Sequence, residues 1–235
     1  CTTHNMTFEG HLSEYIEPSL SISIGQKSIE HLNRLYEIWQ ADKTKLDEIG
    51  QLMIAKNSFL CPTMITYYLK TKLRDSTIFK PEYEKYIDPS LRKEWKTLWS
   101  KRILAAAKNG DTNLQNDIFL SQKKLVAHLA NMGVMILAGS DFAGMPYVYP
   151  GIGLQEELLL LAETGLSNAQ VLQSATINPA IFMGKQKKYG SVSIGKYADL
   201  LILEKNPLDN IRNMQTIDTV IVKGKLINVS HNKNG

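Results

Sequence analysis

Two histidines and one aspartate carry the chemistry that can be read from this chain. His11, His31 and Asp141 each close a short run patterned as a β-strand, at residues 6–11, 27–31 and 133–141. Imidazole nitrogen and carboxylate oxygen are donors for a zinc-type divalent metal, and a catalytic metal keeps one position open for water. The pKa of water held there falls toward neutrality, and a neighbouring carboxylate can take its proton. Alone, each histidine reads more readily as a hydrogen-bonded core residue than as a ligand, and Asp141 reads equally as the cap of the next helix. Three of four strand ends with such side chains favour a metal site. His4 precedes the first strand, His128 sits inside a helical pattern and His231 lies in a polar tail, so none of them joins the set.

Other chemistries lack their residues. There is no His-Glu-x-x-His helix, no phosphate-binding glycine loop and no Gly-x-Ser-x-Gly elbow, because position 138 is Ala. Cys61 lies in an apolar run before Pro62 and reads as a small buried hydrophobe rather than a nucleophile. With 43% hydrophobic and 21% charged residues and a net charge of +4, the composition is that of an ordinary globular chain. The densest basic run, Lys185-Gln-Lys-Lys188, reads as a solvated loop and gives no reason to expect nucleic acid. Two cysteines, Cys1 and Cys61, make no disulfide framework, and no apolar run approaches a membrane span.

The elements that must position the three residues follow a strand–helix rhythm. Residues 134–138 are five apolar residues in a row, as in a strand buried on both faces, and Gly139-Ser140 loosens the chain before Asp141. A third apolar run at 58–63 is ended by Pro62. Pro18 opens a helix that Gly25 stops, and 43–57 has an amphipathic stripe of Leu46, Ile49, Leu52 and Met53. Residues 64 to about 116 break the rhythm with tyrosines, prolines and charges and a helix at 91–108, an excursion suited to a lid or substrate wall. Helices follow at 119–132, at 151–163, from a capping box at Ser167–Gln170, and briefly at Asn178-Pro179. Alternating strands and helices imply an α/β fold with a parallel sheet. Beyond Gly190 the pattern changes to short strands at 197–203, 219–222 and 226–227, the last two forming a hairpin about Lys223-Gly224-Lys225. The expected division is therefore an α/β part at 1–188 and a small β-domain at 189–235.

Gly10-His11, Gly25-Gln-Lys-Ser-Ile-Glu-His31, Ala138-Gly-Ser-Asp141, Ala175-Thr-Ile-Asn-Pro-Ala180 and Gly190-Ser-Val-Ser-Ile-Gly-Lys-Tyr-Ala-Asp-Leu200 occur in an ordered series. That series resembles the metal-dependent amidohydrolase superfamily, nearest its imidazolonepropionase-like branch. The resemblance implies the C-terminal half of a (β/α)8 barrel, strands five to eight, with part of a composite β-sandwich. It makes His11 and His31 the metal ligands after strands five and six, and Asp141 the strand-eight aspartate that binds metal and moves the proton of the attacking water. It further implies a divalent metal, zinc by ligand type, and a small amide, cyclic amide or dipeptide as substrate. Tyr67 and Tyr68, just past strand seven, become candidate pocket walls. At Pro150-Gly-Ile-Gly-Leu-Gln-Glu156 relatives often have His where this chain has Gln155. The first-strand His-x-His pair and the strand-four lysine or glutamate have no counterpart, so this chain reads as a piece of a longer protein, inactive alone. A half barrel also exposes two sheet edges and an apolar face, to be covered by the missing N-terminal half, a second copy in a homo-oligomer or a rearrangement. The alternative function is a non-catalytic half-barrel binding or assembly module.

Overall fold

A computed structural model describes residues 2–4, 6–109 and 112–227; Cys1 and His231 lie outside the described residues. In chain order the elements are β1 (Phe8–Gly10), α1 (Pro18–Ser23), β2 (Gln26–Glu30), α2 (Asn33–Ala41), α3 (Lys43–Lys56), β3 (Phe59–Cys61), α4 (Met64–Thr71), α5 (Pro81–Glu84), α6 (Pro89–Asn109), α7 (Thr112–Met132), β4 (Met135–Ile136), α8 (Ile152–Glu163), α9 (Asn168–Ser174), α10 (Ile177–Phe182), β5 (Leu200–Leu203), β6 (Ile217–Val222) and β7 (Lys225–Ile227). Local chemistry sets many of these boundaries. Pro18 occupies the first turn of α1, the Asp42 carboxylate accepts the Lys45 N–H at 3.0 Å to start α3, and Asn57 ends α3 in the left-handed region. Both halves of the Ser167–Gln170 capping box form at the start of α9.

Strands β1 to β4 make one parallel sheet in sequential order, with Glu9 opposite Ser28, Ile29 opposite Leu60, and Leu60 opposite Ile136. Parallel neighbours cannot be joined by hairpins, so helices carry every crossover and all four strands end at one edge. Ile29, Leu60 and Ile136 pack into the helical layer with Ile22, Leu35, Leu46, Met53 and Leu129. The opposite face holds a smaller cluster of Phe59, Cys61 and Leu137, against which Phe182 of α10 packs edge-on at 5.4 Å. A separate antiparallel sheet runs β5-β6-β7, its hairpin closed by Lys223 and Gly224, both at positive φ.

Several expectations shift in detail. The strands are shorter than their apolar runs: the 133–141 run contributes only Met135–Ile136 to the sheet. Beyond it Leu137 donates to the Leu60 carbonyl and Ala138 to Ser174, so the chain turns away from the ladder before Asp141. The second strand begins at Gln26 and stops at Glu30, leaving His31 just outside. Helix α2 follows, although no helix was read between His31 and Lys43; Leu35 and Ile38, three residues apart, form its buried face. The excursion is helical from its first residue, which puts Tyr67 and Tyr68 on α4 rather than on a loop.

The start of α4 is held by a carboxylate from far along the chain. Glu157, fully buried on α8, accepts the Met64 N–H at 2.9 Å and the Ile65 N–H at 2.7 Å. These are orphan donors of the first helical turn, and no residue of α4 itself caps them. Burial pushes the Glu157 carboxyl up to about 8, against the opposite pull of the two amide donors. Between its ordinary value of 4.5 and about 8 the folded chain holds a proton that the unfolded chain has released, so stability falls as pH rises through this window. Urea unfolding at pH 5 and pH 8 should show that slope, and Glu157→Gln, which mimics the neutral acid, should flatten it. Glu157→Ala leaves both N–H groups without a partner and is expected to cost about 2–5 kcal/mol at either pH.

Candidate functional site

Because the sheet is parallel, the residues after its strands gather at one edge, where α/β sheets carry their chemistry. His11 follows β1 and His31 follows β2, while Thr63 and Asp141 come soon after β3 and β4. His31, Thr63 and Asp141 all adopt left-handed backbone, at φ 66°, 49° and 56°. Non-glycine residues take this conformation at a cost, and such strain collects where side chains must be aimed.

His31 is the centre of the group. Its N–H donates to the Cys61 carbonyl at 2.9 Å, extending the β2–β3 pairing by one rung. Its ring nitrogen Nδ1 lies 2.5 Å from the Thr63 hydroxyl, and that hydroxyl donates to the Pro62 carbonyl at 2.8 Å. A Thr63 hydroxyl that donates to Pro62 takes the Nδ1 proton, the tautomer that leaves the lone pair on Nε2. Nε2 faces the Asp141 carboxylate at 3.9 Å, and the His11 ring stands edge-on to the His31 ring at 4.7 Å. Burial holds the His31 pKa below the ordinary imidazole value; Asp141 pulls it up and the second imidazole pushes it down. A neutral imidazole with a free Nε2 lone pair is the ligand form. Gly144 makes room for the carboxylate, since a Cβ there would sit 2.7 Å from both Asp141 oxygens.

The structure therefore brings His11 to His31 and His31 to Asp141. Among the described residues, no three His, Cys, Asp or Glu side chains close into a metal cage. Donor type fits a divalent cation, two imidazoles and one carboxylate on one side, while the count falls short of a four-ligand shell. Cys61 is buried, and burial with the nearby Glu30 drives its thiol far above the ordinary range, so it holds its proton.

Tyr67 is buried, and its hydroxyl accepts the Leu32 N–H at 2.7 Å and donates to Asn33 at 2.9 Å, anchoring the chain immediately after His31. Tyr68 is half-buried against the Phe119 ring at 5.9 Å. Gln155 sits on α8 beside Glu156, which pairs with Lys80. The excursion is bound to the loop after Asp141 by aromatic rings: Trp95 meets Tyr147 and Tyr149, each at 5.6 Å, and Trp99 meets Tyr147 at 5.3 Å. Sequence reading missed Thr63 and Glu157. Thr63 offers no signal before folding, but an acid directly before the apolar run 158–161 of α8 is the kind of charge that needs a partner when buried. Tyr67→Phe keeps the ring and leaves the buried Leu32 N–H without an acceptor; thermal unfolding should show a loss of about 1–3 kcal/mol.

The profile described as the Amidohydrolase family matches residues 1–227. A human protein named "Probable imidazolonepropionase" is 32% identical over 100 residues, covering 40% of this chain and 23% of its own length. The "Imidazolonepropionase" of Treponema denticola is 30% identical over 118 residues, covering 48% of this chain and 27% of its own length. Among solved structures, a Xaa-Pro dipeptidase with methionine in its active site superposes with a TM-score of 0.66 at 20% identity, over 97% of this chain and 46% of that one. A bottromycin amidohydrolase superposes with a TM-score of 0.72 at 20% identity, over 97% of this chain and 51% of that one. At such identities the superpositions show the α/β fold alone, and this chain spans from about a quarter to half the length of the relatives it matches. With the family profile covering residues 1–227, this chain belongs to the amidohydrolase family, and part of it is similar to imidazolonepropionases.

Proposed function

We propose that this chain is the C-terminal part of a metal-dependent hydrolase of carbon–nitrogen bonds acting on a small amide, cyclic amide or dipeptide. The observation that carries the proposal is His31 standing between the His11 ring and the Asp141 carboxylate at the ends of a parallel sheet. In this reading β1 to β4 are strands five to eight of a (β/α)8 barrel over 1–188, and 189–235 is part of a β-sandwich completed by upstream chain. His11, His31 and Asp141 would hold a divalent metal, zinc by donor type, with the remaining ligands from the N-terminal half. When bound, the metal lowers the pKa of water at its open position.

The rest falls to residues of this chain. Thr63 fixes the His31 ring and its tautomer through the Nδ1 hydrogen bond. Asp141 accepts a proton at its carboxylate as the water oxygen adds to the substrate carbonyl carbon, then returns it to the nitrogen as the C–N bond breaks. Helix α4, with Tyr67 and Tyr68, walls the pocket beside the β3 end. The second reading is a non-catalytic half-barrel binding or assembly module.

In the intact protein, Asp141→Asn should lower kcat by about 10²–10⁴-fold with circular dichroism unchanged; near-normal turnover would remove Asp141 from its role. Metal content by plasma mass spectrometry should approach one or two per protein and fall in His31→Ala. A protein without metal or amide turnover in its intact form would favour the module.

A further inference from the structure

Thr63 occupies the capping position directly before α4, yet its side chain caps nothing there. An N-cap threonine ordinarily takes extended backbone and turns its hydroxyl to a free N–H of the first helical turn. Thr63 instead holds φ 49° and ψ 52°, a left-handed conformation that a β-branched residue adopts at a cost. Its hydroxyl donates to the Pro62 carbonyl at 2.8 Å and lies 2.5 Å from His31 Nδ1.

Glu157 takes the place of that hydroxyl. The residue is wholly buried, its Oε1 accepting the Met64 N–H and its Oε2 the Ile65 N–H. The Thr66 N–H closes onto the Thr63 carbonyl at 3.0 Å, so the first three amides of α4 have acceptors without the Thr63 side chain. Buried N–H groups need partners, and here a carboxylate 93 residues from Met64 supplies them. Among the described residues Glu157 makes no other hydrogen bond and no ion pair.

We propose that Glu157 is a positioning residue for the strand-end site: by satisfying the start of α4 it releases the Thr63 hydroxyl to hold the His31 ring. The effect on metal binding rests on the reading of His31 as a ligand, whereas the link from Glu157 to the His31 ring stands on the hydrogen bonds themselves. Without the carboxylate, the two amides lose their acceptors, and the Thr63 oxygen can serve one of them only by leaving His31. Thr63 then relaxes toward extended backbone, and Nδ1 of His31 loses its partner. A partner on the second ring nitrogen orients a histidine ligand, and its loss costs about 10–100-fold in metal affinity.

The test uses the intact protein. With labelled histidine and no metal, long-range proton–nitrogen NMR spectra read the His31 ring. Its nitrogens should shift in Glu157→Ala, and Thr63→Ala should shift them the same way. His128, paired with Asp47 at 2.5 Å on the outer helices, should not move. Calorimetry with zinc alone reads the consequence. Thr63→Ala and Glu157→Ala should each weaken zinc by about 10–100-fold, and Glu157→Gln, with one acceptor oxygen left, should fall between Glu157→Ala and wild type. In the Thr63→Ala background Glu157→Ala should add less than about twofold, because both act through one contact. Val171→Ala, a core truncation on α9, should lower the melting temperature and leave the His31 signals and zinc affinity in place, which separates positioning from loss of stability. Should Glu157→Ala not fold, Glu157→Gln carries both readouts. His31 nitrogens that ignore the Glu157 substitutions would overturn the inference, as would a Glu157 effect on zinc that persists in full without the Thr63 hydroxyl. His31 signals that follow Glu157 in a protein whose zinc affinity ignores His31→Ala would keep it and sink the metal reading.

Discussion

Parallel pairing of four short strands is the constraint from which the rest of this structure follows. Parallel neighbours need crossovers, and crossovers force every strand to end on the same edge. His11, His31, Thr63 and Asp141 are scattered over some 130 residues of chain, yet the ladder delivers all four to that edge. The sheet works here as a registration device: Ile29 opposite Leu60 and Glu30 opposite Cys61 put His31 within reach of Thr63.

Two tethers then stiffen the edge. Glu157 reaches from α8 to the first amides of α4, so the turn that carries Thr63 is fixed from outside its own segment. Tyr67, one helical turn further on, reaches back to the backbone just after His31. Both are buried polar contacts in which each donor has an acceptor, which is what allows them to rigidify the site. A solvent-exposed tie would hold the strained left-handed backbone of His31 and Thr63 less firmly.

The excursion adds a wall to this frame. Rings of Trp95, Trp99, Tyr147 and Tyr149 dock α6 against the loop that follows Asp141, and α4 grows straight out of the β3 end. A segment packed in this way can present charges at fixed positions, which a free loop could not.

The α/β class, the strand–helix order and the three strand-end donors were legible in the amino-acid sequence. Each depends on short-range pattern: apolar runs of strand length, caps such as Asp42 and Ser167, and punctuation such as Pro18 and Gly25. The same patterns placed the helix at 43–57 within one residue of its end. Helix α2 was missed although Leu35 and Ile38 carry its buried face; at nine residues it is shorter than the helices that were read at 43–57 and 119–132. Thr63 as the partner of His31, Glu157 as the cap of α4 and Tyr67 as an anchor were decided only by tertiary structure. Their partners lie 32, 92 or 93, and 34 or 35 residues away. A hydrogen bond across such a separation leaves no trace in local pattern, because register and crossover packing determine which groups meet.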